Sequence, residues 1–122
     1  MKKNQLKRQG DVALQMIDAL PKNLKPYKKG QESKIIARGE HSNHCHAGIG
    51  ADVEVFEDEK GVLYVNAKGE FELRHLLESE LLTGREVWTN EHNDIKFGAG
   101  TYKFVPQFEY HPYDDEIRRV KD

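Results

Sequence analysis

Hydrophobic and polar residues alternate along much of this chain, as at Val12-Ala13-Leu14-Gln15-Met16, Val53-Glu54-Val55, Phe71-Glu72-Leu73 and Tyr102-Lys103-Phe104. A period of two puts successive side chains on opposite faces of a sheet, so each stretch reads as a half-buried strand. Strands are expected at 11–17, 33–38, 52–56, 62–67, 70–76, 85–89 and 95–97, followed by one long final strand over 101–110 bent at Pro106, with 117–120 closing an edge. Glu59-Lys60-Gly61 and Lys68-Gly69 are turn signals that make residues 52–76 a three-stranded meander. The phase of the alternation turns Val55, Leu73 and Val87 inward and leaves Phe56 and Trp88 outside. Residues 76–82 fit either a helical turn or the apolar end of a strand. Pro21, Pro26 and Gly30 break a Pro/Lys-rich loop over 18–33. About eight to ten short strands with almost no helical period predict an all-β fold: a single-domain β-sandwich or barrel spanning 1–122, with a cupin or jelly roll among the options.

The chain has 122 residues, enough for one domain, and at 37% hydrophobic and 33% charged its core should be small. No apolar run approaches the roughly 20 residues that span a bilayer. Met1-Lys2-Lys3-Asn4-Gln5 lacks the apolar core of a signal peptide. The one cysteine excludes an internal disulfide framework and fits a reducing compartment, so a cytoplasmic location is expected. The net charge of −2 conceals a split. Residues 1–38 hold ten Lys/Arg against three Asp/Glu, whereas residues 39–95 hold four against thirteen. The basic N-terminal arm, 1–10, has no aromatic interleaving, so nucleic-acid binding ranks last and a solvated arm first. Pairing of that arm with the acidic body of a neighbouring copy would make a homo-oligomer or an assembly.

The distinctive chemistry lies in Gly39-Glu40-His41-Ser42-Asn43-His44-Cys45-His46, which packs three of the six histidines into six residues. Neutral imidazole is the commonest ligand for transition metals. On a strand, His44 and His46 share a face and Cys45 points the other way; in a loop, His41 and Cys45 also become candidates. A third ligand must come from elsewhere in the fold, and His92, in the polar junction Thr89-Asn90-Glu91-His92-Asn93-Asp94, is the best placed. Glu40 and Glu91 are the carboxylates at hand, as a further ligand or as partners that orient an imidazole. The expected metal set is therefore His44, His46, His92 and Glu40, holding zinc or iron. His75, between Leu73 and Leu76, is expected as a packed or surface histidine, and His111 as part of a strand-end turn.

The His-x-His of His44 and His46, followed by His92, is similar in part to the double-stranded β-helix of the cupin kind. Two features depart from that pattern. Gly50 and Ala51 stand where a glutamate is expected, and Gly98-Ala99-Gly100 follows His92 instead of preceding it. A broader resemblance is to a group of small bacterial and phage proteins. It rests on Arg8-Gln9-Gly10-Asp11-Val12, on Gly39-Glu40 with His44 and His46, and on Gln107-Phe108-Glu109-Tyr110-His111-Pro112. His92 ahead of Ile95, Gly100 and Tyr102 extends it. The resemblance implies a shared histidine site and brings no activity with it. Phosphate-loop and dinucleotide fingerprints are missing from the sequence, so any catalysis would be metal-dependent. The rival expectation is a phage or virion accessory protein with a purely structural role, located in the host cytoplasm or the virion.

Overall fold

The computed structural model describes residues 4–39, 41–106, 108–111 and 116–119. Strand accounts for 49% of the chain and helix for 10%, so the all-β expectation holds. A six-stranded antiparallel sheet contains β1 (Leu6–Gln9), β2 (Val12–Ile17), β3 (Lys25–Pro26), β6 (Val53–Glu57), β7 (Leu63–Ala67) and β10 (Gly100–Pro106). Its strand order is β1-β2-β10-β7-β6-β3. A four-stranded sheet has the order β4-β5-β8-β9, built from β4 (Ile35–Arg38), β5 (His44–Ile49), β8 (Phe71–Leu77) and β9 (Ile95–Phe97). A separate ribbon pairs β11 (Phe108–His111) with β12 (Glu116–Arg119), so the long final strand expected over 101–110 is divided between two sheets and β12 closes no edge of the sandwich. The barrel alternative does not form. Among the described residues, two open sheets lie face to face as a sandwich and form no closed barrel.

Both sheets contribute to one core. Val12, Leu14, Val55, Val65 and Tyr102 from the larger sheet meet Ile36, Phe71, Leu73 and Phe97 from the smaller one. The predicted phase holds for Val55 and Leu73, which are buried, and for Trp88, which is 43% exposed, whereas Val87 and Phe56 are each only half-buried and Val87 stays out of the core. On its outer face the four-stranded sheet carries a second apolar cluster of Ile35, Cys45, Ala47, Leu76 and Leu81. A 3-10 turn at Gly30–Lys34 lies on that side, and Leu81 belongs to the one-turn helix α1 (Glu78–Leu82), which resolves the ambiguity at 76–82.

Two local differences from the expected elements matter for the site. Part of the N-terminal segment read as an arm is strand β1, paired with β2 through Gln9↔Val12 across a Gly10-Asp11 turn. Gly10 has φ 61°, the positive first central position that a two-residue hairpin of this type needs and glycine meets without strain. The strand expected at 85–89 is reduced to a single bridge, Leu76↔Trp88, with Leu77 N donating to Val87 O at 2.8 Å. The physical reason is shared occupancy of one edge. β9 pairs with Phe71–Leu73 of β8, and residues 87–89 can use only the far end of the same strand. Asn90, at φ 67°, then turns the chain away, so residues 90–94 form a loop over that end of β8.

Candidate metal site

The histidine segment takes the strand alternative. In β5, His44 and His46 are two residues apart, and the antiparallel register sets His46 opposite His75 and His44 opposite Leu77 on β8. His75 lies two residues beyond Leu73 and therefore shares its inward face. His46 and His75 are both 0% exposed. Their rings meet edge to face at 4.5 Å between centroids, while His44 meets His75 at 5.5 Å. His92, on the 90–94 loop, lies 4.7 Å from His75 and 5.9 Å from His46. At the tip of the β4–β5 connection, His41 reaches His44 at 5.6 Å. Five imidazoles thus form one connected cluster at an end of the sandwich, with His75 at its hub.

Carboxylates flank the cluster at two places. Glu91 Oε1 is 3.0 Å from His44 Nδ1 and 3.9 Å from His41 Nε2. Asp11 Oδ1, buried at the β1–β2 tip, is 3.7 Å from His46 Nε2. Gln9 is also buried there, and its side-chain oxygen sits 2.9 Å from His46 Nδ1. Thr89 Oγ1 lies 2.5 Å from His75 Nδ1, and Thr89 N donates to His75 O at 3.1 Å. The hydrogen bonds between Gln9 and His46 and between Thr89 and His75 orient those two rings by the same means that fix the imidazoles of metal centres.

The structure therefore brings His44, His46 and His92 into one cluster, whereas Glu40 lies outside the described residues. The tightest ligand-like group is a different set. Donor atoms of His44, His75 and Glu91 all lie within 4.8 Å of one another. Donors around one tetrahedral zinc are about 3.4 Å apart, so roughly an ångström of side-chain movement closes this set onto an ion. Sequence reasoning passed over His75 as a ligand and did not single out Gln9 or Asp11. The signal for His75 was its two-residue step from Leu73. The signal for Gln9 and Asp11 was a glycine between two polar residues at a strand end, which marks a hairpin tip.

A family profile for a domain of unknown function, DUF8820, matches residues 8–107. The chain belongs to this family. No curated protein and no solved structure matches it. The matched span of the DUF8820 domain runs from the hairpin that carries Gln9 and Asp11 through β10, so all five clustered histidines fall within it. Among the described residues, no helix is long and apolar enough to cross a membrane.

Cys45, between the two β5 histidines, takes no part in the cluster. It points into the outer-face apolar group and is 0% exposed. Burial, reinforced by the charge of Glu78, pushes its thiol up to about 12. Thiolate is the reactive and metal-binding form, so this side chain is inert in the folded domain. The native protein is expected to resist a thiol-reactive probe at pH 8 and to label fully once denatured. Rapid labelling of the native protein would show that the outer-face cluster opens. The thiol's contribution to stability is constant below about 9, where it is protonated in both states. It then declines as pH rises towards 12, because only the unfolded chain releases the proton.

Proposed function

We propose that this domain binds a divalent transition metal, zinc or iron, through His44, His75 and Glu91. The observation that supports the reading is the convergence of their donor atoms within 4.8 Å beside three further imidazoles. Two imidazoles and one carboxylate suit zinc or a non-haem iron site, and both leave coordination positions open for water or substrate. An ion held this way supplies a Lewis acid and lowers the pKa of its bound water. The hub residue is tied to Thr89, and Thr89 belongs to the segment that carries Glu91, so the ligands come from β5, β8 and one loop. A bound ion would also bind that loop to the sandwich, a useful contribution in a small domain.

Elemental analysis of the purified protein, followed by titration of the metal-free form with zinc and with iron(II), tests the reading. Stoichiometric uptake that is lost on Glu91→Gln supports it; a folded protein that takes up neither metal overturns it. The charge split of the sequence supports a second reading, a phage or virion accessory component that assembles through its basic N-terminal third. Sedimentation at rising salt separates the two, because assembly of that kind dissociates as salt screens the charges and metal held by direct coordination does not.

A further inference from the structure

Arg74 and His75 are consecutive on β8, so their side chains leave opposite faces of the strand: His75 inward to the cluster, Arg74 outward at 22% exposure. On the outer face, Glu72 of the same strand accepts from the guanidinium at Nε, 2.9 Å, and pairs with Nη2 at 2.8 Å. Three groups of the 86–94 segment share the same guanidinium. Glu86 pairs with Nη1, the guanidinium carbon lies 5.3 Å over the centre of the Trp88 ring, and Asp94 is 3.8 Å from Nε. The Trp88 indole N–H also donates to the two carboxylate oxygens of Asp94, at 2.9 and 3.1 Å. One side chain on β8 thus fastens the segment at both ends and near its middle. Between those fastenings the segment turns inward to the site. Thr89 N donates to His75 O at 3.1 Å, the Thr89 hydroxyl meets His75 Nδ1, and Glu91 Oε1 reaches His44 Nδ1 at 3.0 Å. Backbone pairing alone leaves Glu91 loosely placed, because the bridge Leu76↔Trp88 precedes it and Asn90 turns the chain off the sheet.

We infer that Arg74 is the positioning residue for Glu91, acting through Trp88 and Asp94 from the opposite face of β8. The inference rests on the metal reading above and names what sets the affinity of that site. Glu91 sits on a loop, and a ligand that the ion itself must order costs affinity in lost freedom. A segment already fastened at Glu86, Trp88 and Asp94 presents its carboxylate beside His44 before any ion arrives. Arginine suits the task, because its planar fork takes more than one carboxylate while its face stacks on an indole. A lysine ammonium is a point charge without that fork.

Hydrogen exchange of the metal-free full chain, followed by metal titration against a competing chelator, tests this in Arg74→Gln. The Leu77 and Thr89 amides, which donate to Val87 O and His75 O, report whether the segment stays on β8. Both should exchange at least about tenfold faster in Arg74→Gln, with the amides of β7 unchanged. Affinity for the metal that the wild type takes up, zinc or iron(II), should fall by about 10–100-fold, the range for losing a partner that orients a ligand. Unchanged exchange at Leu77 and Thr89, or equal acceleration throughout β7, overturns the inference. So does faster local exchange with wild-type metal affinity, which leaves the metal reading standing. A wild-type chain that takes up neither metal removes the metal reading itself, and Arg74 then positions no ligand. Asp94→Ala, at an exposed residue that ties down Trp88, should reproduce both the local acceleration and the loss of affinity. It decides the matter if Arg74→Gln does not fold.

Discussion

His75→Ala is expected to weaken zinc or iron(II) uptake at the His44–Glu91 locus by more than about 100-fold, the upper range for losing even an orienting partner of a ligand. The residue is the hub: its ring touches those of His44, His46 and His92, and one nitrogen is already committed to Thr89. Its removal deletes a ligand and leaves a cavity on the inner face beside Leu73. His41→Ala provides the contrast. That side chain is 65% exposed and contacts Glu91 only at 3.9 Å, so the change is expected to alter uptake by less than about threefold. Calorimetric titration of both variants with zinc is the check. Equal affinities in His75→Ala and wild type would exclude His75 as a ligand. The contacts of His75 with the other imidazoles would then serve packing alone.

Phe71→Ala should be the most damaging core substitution, at about 3–5 kcal/mol. Phe71 is 2% exposed, stacks on Phe97 at 5.0 Å and meets Tyr102 edge to face at 5.5 Å. It therefore joins β8 and β9 of one sheet to β10 of the other. Domains of this size are commonly stable by only about 5–15 kcal/mol, so the variant should be close to unfolding at growth temperature. Leu82→Ala, at a side chain 42% exposed, should cost no more than about 0.5 kcal/mol. Urea denaturation followed by circular dichroism measures both. A cost below about 1 kcal/mol for Phe71→Ala would mean that the two sheets do not close around this ring.

Phe71, Leu73 and His75 also show why the core and the site are continuous. All three lie on one face of β8, so the row that begins as an aromatic stack ends as the histidine hub. Metal binding at His75 is therefore expected to raise the stability of the same face that Phe71 anchors, through preferential binding to the folded state.

The all-β class, the meander over 52–76 and the inward phase of Val55 and Leu73 were legible in the sequence because side-chain alternation is a local property with a period of two. The same property made His44 and His46 neighbours once 44–49 became a strand. Local pattern could not reveal which strands share an edge. The stretch at 85–89 has strand composition, yet it makes one bridge because β9 occupies the rest of that side of β8. Nor could it reveal the partners of His46. Gln9 and Asp11 lie 37 and 35 positions before it, and reach it only because the β1–β2 tip folds over the end of the smaller sheet. His75 became the centre of the cluster through a cross-strand register, His46↔His75, which is set by how two sheets bury their apolar faces together. Residue types and local phase were thus determined by the sequence alone. Pairing, register and the choice of donors around a buried imidazole depended on contacts between distant segments, and those exist only in the packed sandwich.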